Sequence, residues 1–116
     1  MARAATTADV FNAVAESRRR EILDLLAAGE RPVQELVDAL GVAQPQVSKH
    51  LRVLRDVGLV DVRDAGRRRL YRVNAPALKP VHDWVKGFER MWEERFESLD
   101  AVLDDLKQEE DNDAQH

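Results

Sequence analysis

The sequence predicts a mainly helical domain that carries one small β-hairpin, with the element order α-α-α-α-β-β-α. Apolar residues recur at helical spacing through residues 7–57 and again beyond residue 76, whereas residues 59–73 alternate or cluster like two short strands. At 116 residues the chain is long enough for one domain and short for two. We therefore predict a single domain over residues 1–107.

The first forty residues are typical of three short helices. Thr7 can cap the first helix, and the second helix covers about residues 17–28 and ends at Gly29. Pro32 suits the first turn of a third helix, which Gly41 closes. The apolar residues that recur at helical spacing in these segments are Val10, Phe11, Val14, Ile22, Leu23, Leu25, Leu26, Val33, Leu36, Val37 and Leu40.

A fourth helix is predicted over about residues 44–57, with Pro45 tolerated because it stands in the first turn. One side of this helix is apolar and consists of Val47, Leu51 and Leu54. The reverse side is charged and shows Lys49, Arg52 and Asp56. Two helices joined by a tight glycine-containing turn, the second basic on its outer face, predict a helix-turn-helix over residues 33–57.

The period of the pattern changes after the fourth helix. Residues 59–63 and 70–73 read as strands, and the turn between them contains Gly66 followed by three arginines. A hairpin in this position, residues 59–74, is a wing. The predicted fold is therefore a winged helix-turn-helix.

A long last helix is predicted over residues 76–107, opened by Pro76 and Pro80. Its apolar residues step by four and three, as in a pair of packed helices, and are Trp92, Phe96, Leu99, Leu103 and Leu106. The tail at residues 108–116 is polar and acidic and is predicted to be disordered.

The net charge of −4 is unevenly distributed along the chain. Residues 1–75 hold 13 basic and 10 acidic side chains, a balance of +3, whereas residues 76–116 hold 5 and 12, a balance of −7. Residues 44–72 alone hold 8 basic and 3 acidic side chains, or +5. Because nucleic-acid binding depends on where positive charge lies, the acidic total does not exclude it.

The fourth helix offers the side chains that a DNA major groove requires. Amide, hydroxyl and cationic groups near a helix N-terminus reach base edges, and here they are Gln44, Gln46, Ser48, Lys49 and Arg52. An ordinary solvated helix face would look the same. The hairpin favours DNA, because Arg67, Arg68 and Arg69 at its tip repel one another unless phosphates supply a counter-charge.

The sequence indicates no catalytic site and no metal or other cofactor. Ser48, Lys49 and His50 follow one another on a helix and point in different directions, so they cannot act on one reacting atom. We expect His50 to be packed and hydrogen-bonded. The chain has no cysteine, and a lone His82 beside Asp83 among exposed carboxylates is a weak metal site.

The aromatic residues of the last helix indicate that it packs against something. Trp84, Phe88, Trp92 and Phe96 could line a small-molecule pocket or form a dimer interface. We favour the interface, because aromatic anchors dominate interface energetics.

From Val10 to about Leu106 the chain resembles the ArsR/SmtB family of bacterial winged-helix repressors, most specifically in QPQVSKHLRVLRDVGLV at residues 44–60. The resemblance implies a dimer that pairs through its first and last helices and binds inverted repeats in promoters. By this resemblance the DNA-reading residues are the five on the fourth helix and the three wing arginines given above. The implied interface residues are Val10, Phe11, Val14, Trp84, Phe88, Trp92, Phe96, Leu99 and Leu103.

The chain also departs from this family's metal-sensing members. They carry a cysteine-rich motif where this chain has VQELVDAL at residues 33–40, or they use Asp and His pairs on the last helix, where only His82 remains. The last helix looks more like that of the metal-free autorepressor branch. Ala43 stands where many relatives have a capping serine, so we expect a weaker start to the fourth helix.

We therefore expect a homodimeric repressor that binds double-stranded DNA in the cytoplasm, without a signal peptide or membrane span. No residue pattern indicates a particular small-molecule effector. Arg52→Ala should relax base discrimination, whereas Arg68→Ala should weaken binding to all sequences about equally. The alternative is a winged-helix module that docks another protein through its acidic, aromatic last helix.

Overall fold

The computed structural model describes residues 5–114, with side chains described for residues 5–110. The elements follow the predicted order, with a two-stranded antiparallel sheet and an additional break in the last helix. They are α1 (Thr7–Ala15), α2 (Ser17–Ala27), α3 (Val33–Leu40), α4 (Gln44–Asp56), β1 (Val60–Ala65), β2 (Arg68–Val73), a 3₁₀ turn (Ala75–Leu78), α5 (Lys79–Lys86) and α6 (Glu89–Ala114).

Helix α1 is capped one residue earlier than predicted. Thr6, not Thr7, is the N-cap: its hydroxyl accepts from the Asp9 amide at 3.3 Å, and its own amide donates to the Asp9 carboxylate at 2.9 Å. This reciprocal pair is a capping box, which satisfies two amides that would otherwise lack a partner. The spacing Thr6-x-x-Asp9 carries the signature, whereas Thr7 has Val10 at the corresponding position.

The arginines that open α2 close the C-terminus of α1. The Arg19 guanidinium donates to the Ala13 carbonyl at 2.7 Å and to the Asn12 carbonyl at 3.1 Å. Arg20 donates to the next two carbonyls, each at 2.9 Å. The last turn of α1 contains no basic residue of its own, so cations from α2 satisfy its terminal carbonyls and the negative end of its dipole. The arginine run at residues 18–20 is thus mainly structural.

The core lies among the first four helices and the start of β1. It confirms the apolar stripe predicted on α4, because Val47, Leu51 and Leu54 are almost completely buried. Gly41, in a left-handed conformation with φ of 66°, ends α3 and turns the chain toward α4. The buried residues are Val10, Ala13, Ile22, Leu23, Leu26, Leu36, Val47, Leu51, Leu54, Leu59 and Val60.

The wing is a hairpin whose register pairs Val60 with Val73 at its base and Ala65 with Arg68 at its tip. Gly66 has a φ of 68° and is followed by a residue of negative φ, the pattern of a type II′ turn, which suits the twist of two strands. The backbones of Arg31 and Tyr71 also exchange two hydrogen bonds, of 3.0 and 2.8 Å. The segment before α3 therefore extends the sheet and ties the wing to the helix-turn-helix.

The C-terminal segment differs from the single helix predicted over residues 76–107. A 3₁₀ turn precedes α5, and α5 ends near Gly87, where i→i−3 bonds run from Gly87 to Trp84 (3.2 Å) and from Phe88 to Val85 (2.9 Å). Glycine has the lowest helix propensity apart from proline, so the helix breaks there.

Helix α6 then extends beyond the predicted end, through Ala114. Residues 108–114, predicted to be disordered, are helical, because Gln108, Glu109 and Glu110 are good helix formers and no glycine or proline interrupts them. Residues 115 and 116 lie outside the described residues.

The backbone contacts divide the chain after Val81 into two compact units, and the single domain over residues 1–107 stays a prediction. The first unit contains the helix-turn-helix and the wing, and the second contains most of α5 and all of α6. Within the described part of the chain, no helix combines the length and apolarity needed to cross a membrane.

Candidate nucleic-acid interface

The packing of α4 fixes which of its side chains face outward. Burial of Val47, Leu51 and Leu54 turns the opposite side of the helix to solvent. All five residues predicted to read DNA are exposed: Gln44, Gln46, Ser48, Lys49 and Arg52. The N-cap Ala43 makes no side-chain capping bond, but its carbonyl accepts from the Gln46 and Val47 amides at 3.0 and 3.3 Å.

The basic side chains of this face are electrostatically unsatisfied. Within residues 5–110, Lys49, Arg52 and Arg55 have neither a carboxylate within 4 Å nor a side-chain hydrogen bond. Arg55 was not among the residues singled out from the sequence. Its spacing of three from Arg52 was the available signal, because residues three apart are neighbours on a helix surface. Three adjacent unpaired cations form a surface suited to a polyanion.

The three wing arginines differ from one another in whether an acidic side chain lies nearby. Arg68 lies 3.8 Å from a Glu35 oxygen of α3, and Arg69 lies 3.9 Å from an Asp64 oxygen on the facing strand. The expectation that they lack a protein counter-charge is therefore wrong for these two. Arg67, in the turn itself, has no such partner within the described residues.

Other arginines near the wing hold the structure together. Arg63 of β1 makes a bidentate ion pair with Glu30. The hydrogen bond from Arg63 lowers the pKa of the Glu30 carboxyl below its ordinary value, and the pKa of Arg63 is raised in return. Arg72 lies 3.9 Å from Asp61 on the facing strand. Much of the positive charge of the hairpin is thus balanced internally, and within residues 33–74 the cations that have no carboxylate within 4 Å among the described residues are three on α4 and Arg67.

A cleft of about 360 Å³ separates α4 from β2. It lies between the two elements predicted to contact DNA. Its lining residues are Ser48, Leu51, Arg52, Arg55, Asp56 and Tyr71.

His50 is half-buried at the side of α4, as predicted, but the expected hydrogen bond is missing: its Nδ1 is buried without a partner among the described residues. Burial lowers the pKa of His50 below 6.5, and the positive charge of Arg19 lowers it further. Glu16 opposes this effect, whereas Lys49 and Arg18 add to it. His50 therefore takes up a proton only at a lower pH than an unperturbed imidazole.

The lowered pKa of His50 predicts that acid destabilises the protein. The unfolded chain takes up this proton near pH 6.5 and the folded chain only at lower pH, so the contribution of neutral His50 is complete above about pH 6.5 and is lost below it. We expect the free energy of unfolding, measured in urea, to fall from pH 7.5 to pH 5. The fall should be smaller in His50→Gln. His82→Gln, which removes an exposed imidazole, is the control, and equal pH profiles for wild type and His50→Gln would contradict the prediction.

The residues predicted for the dimer interface fall into two groups. In the first unit, Phe11 and Val14 are partly exposed, but Val10 is only 6% exposed and belongs to the core, because α1 turns it toward α2. Its assignment to the interface stays a prediction. In the second unit all six predicted residues are exposed: Trp84, Phe88, Trp92, Phe96, Leu99 and Leu103.

The exposed apolar surface is confined to the C-terminal helices. All large hydrophobic residues that are exposed among the described residues lie between Trp84 and Leu106. Met91 and Val102 belong to this set and were not predicted, because they flank the four–three pattern. Trp84 and Phe88 meet edge to face at 5.5 Å, and Phe88 stacks on Trp92 at 6.4 Å. An apolar surface of this extent is typical of a protein interface.

No group of three or more metal-ligating side chains occurs within the described residues. His82, the candidate from the sequence, has its Nδ1 3.2 Å from Asp83 Oδ1.

Known proteins share this fold. The family model for the bacterial regulatory proteins of the arsR family matches residues 16–62. The HTH-type transcriptional regulator Rv2034 of Mycobacterium tuberculosis is 34% identical over 94 residues, covering 81% of this chain and 85% of that relative. The chain belongs to the ArsR family.

Other similar proteins extend the comparison with the ArsR family. A probable mercury resistance operon repressor of Streptomyces lividans is 41% identical over 73 residues, covering 63% of this chain and 58% of that relative, so the match spans less than two thirds of its length. A solution structure of a homodimeric winged helix-turn-helix DNA-binding domain from Mycobacterium bovis, a possible ArsR-family regulator, matches with a TM-score of 0.60 and 36% identity. That match covers 72% of this chain and 77% of the solved chain. The predicted winged helix-turn-helix is confirmed.

Proposed function

We propose that the protein is a homodimeric transcriptional repressor that binds an inverted-repeat operator in double-stranded DNA. The observation that carries this proposal is the outer face of α4, where polar side chains and three unpaired cations stand beside an arginine-bearing hairpin. The α4 helix enters the major groove and reads base edges through Gln44, Gln46, Ser48, Lys49 and Arg52. Arg67, Arg68 and Arg69 of the wing contact flanking phosphates.

The apolar surface of α5 and α6 supports the dimer. A second copy covers this surface, with Phe11 and Val14 of α1 as further contacts, and a two-fold axis relates the two α4 helices. Successive major grooves on one side of B-DNA are about 34–36 Å apart, so a dimer that spans this distance recognises two half-sites. Occupancy of a promoter then blocks transcription. The protein acts in the cytoplasm by binding alone, without catalysing a reaction.

Selection of random duplexes by the purified protein, followed by sequencing of the bound fraction, tests the proposal. We expect an enriched inverted repeat whose half-site centres are about one helical turn apart. Affinity should fall steeply with salt, because Lys and Arg side chains displace counterions from phosphates. Absence of enrichment at both low and moderate salt would contradict the proposal and favour a module that docks another protein. Retention on heparin with release by salt is a rapid first measurement.

A further inference from the structure

The cleft between α4 and β2 combines features of an anion site. Arg52 and Arg55 bring two cations to its α4 side, and Tyr71 brings a phenol to its β2 side. Arg55 is exposed and has no carboxylate within 4 Å among the described residues. Arg63 and Arg72 of the adjacent strands, by contrast, are each balanced by an acidic neighbour. The lining of the cleft therefore carries two cations against one carboxylate, Asp56, and neither cation has a carboxylate within 4 Å among the described residues.

The position of the cleft indicates which anion would bind there. If α4 occupies a major groove and the wing lies over the adjacent minor groove, one sugar–phosphate strand separates the two grooves. That strand must pass between α4 and the hairpin, and the cleft is the space between them. Arg55 stands near the C-terminal end of α4, away from the N-terminal turns that reach base edges.

We propose that this cleft seats a backbone phosphate of the bound DNA, held by the Arg55 guanidinium and the Tyr71 hydroxyl. The inference rests on the proposed function and adds two residues that the base-reading and wing assignments do not include. This phosphate contact fixes the position of α4 in the groove, and it does not itself depend on the base sequence. Tyr71 is well placed for this role, because its backbone is paired with both Val62 and Arg31 and so is held rigidly.

Asp56 lines the same cleft. Because it is negatively charged, replacing it should change DNA affinity in the opposite direction from replacing Arg55, which gives the proposal a second test. A carboxylate beside a phosphate repels it, so Asp56 weakens binding at this seat. Asp56→Asn removes the repulsion and retains the shape of the side chain. It should therefore strengthen binding severalfold to every duplex.

The experiment measures affinities of the full chain for the selected duplex and for a random duplex of equal length, over a range of salt. Arg55→Ala should weaken binding to both duplexes by the same factor, about tenfold or more, because charge-assisted hydrogen bonds are lost at two symmetric seats. The slope of log K against log salt should become less steep by about 1.8, or about 0.9 for each seat. Tyr71→Phe should weaken both complexes severalfold with no change in slope, because it removes a donor and no charge.

Arg90→Ala is the matched control, since it removes one guanidinium that is 90% exposed and lies on α6 outside the cleft. It should leave affinity and slope unchanged. An Arg55→Ala protein that binds with wild-type affinity and slope would overturn the phosphate seat while the operator binding of the wild type stands. If Arg55→Ala lost affinity for the selected duplex alone, Arg55 would contact bases, and the proposed phosphate site would be overturned. Weaker binding by Asp56→Asn would also overturn it. Failure of the wild type to prefer any duplex would instead overturn the proposed function.

Discussion

Leu99→Glu should convert the dimer to a monomer and reduce affinity for the operator by a factor of 100 or more (about 2.7 kcal/mol). Leu99 is 53% exposed and lies at the centre of the apolar seam of α6, which consists of Trp92, Phe96, Leu99, Leu103 and Leu106. A glutamate there would place a charge without a partner inside the proposed interface, where desolvation of an unpaired charge costs several kcal/mol. Once the subunits separate, each half-site must be bound independently, and the advantage of linked binding is lost.

The dimer prediction is checked by light scattering coupled to size-exclusion chromatography and by binding to the selected duplex. Ala101→Glu is the matched control, because it adds the same charge to the same helix at an exposed position outside the seam. Circular dichroism should show that both variants retain their helices. If Leu99→Glu remains a dimer at the concentrations where the wild type is one, the seam is not the interface.

The features of this molecule that are determined by the spacing of apolar, charged and glycine residues along the chain could be predicted from the sequence. The apolar stripe of α4 fixes the rotation of the helix, so the exposure of Arg52 and Lys49 follows from spacing alone. The hairpin follows in the same way from Gly66 between two apolar runs. These features depend on contacts between residues that are close in the sequence, or on whether a residue faces the core or the solvent.

Features that depend on which distant side chains meet could not be predicted in this way. The pairing of Arg68 with Glu35 joins the wing to α3, and Arg19 reaches across a helix boundary to the Ala13 carbonyl. The unpartnered Nδ1 of His50 also depends on three-dimensional surroundings. The break at Gly87 had a local signal, since glycine costs about 1 kcal/mol relative to alanine in a helix interior. The proline signals and the apolar spacing nevertheless led to the prediction of a continuous helix.

Arg52→Ala and Arg67→Ala should separate base recognition from phosphate contact. Arg52 is exposed near the middle of α4 and is unpaired within the described residues, so its guanidinium is free to bond with a base edge. A bidentate contact discriminates by about 1–3 kcal/mol, and two half-sites double this to about 2–6 kcal/mol. Arg52→Ala should therefore lose most of the preference for the selected duplex over one with a changed base pair in each half-site, and much less of its affinity for random DNA.

Arg67→Ala should weaken binding to selected and random duplexes by the same factor, because a phosphate contact is independent of sequence. Its salt slope should become less steep by about 1.8 for the two wings of a dimer. Arg68→Ala should act in the same direction but more weakly, since Arg68 already shares its charge with Glu35 at 3.8 Å. Competition binding between labelled selected and random duplexes measures all three variants. If Arg52→Ala and Arg67→Ala each lower the affinities for the selected and random duplexes by the same factor, α4 does not read bases through Arg52. The assignment of base contacts to α4 and of phosphate contacts to the wing is then wrong.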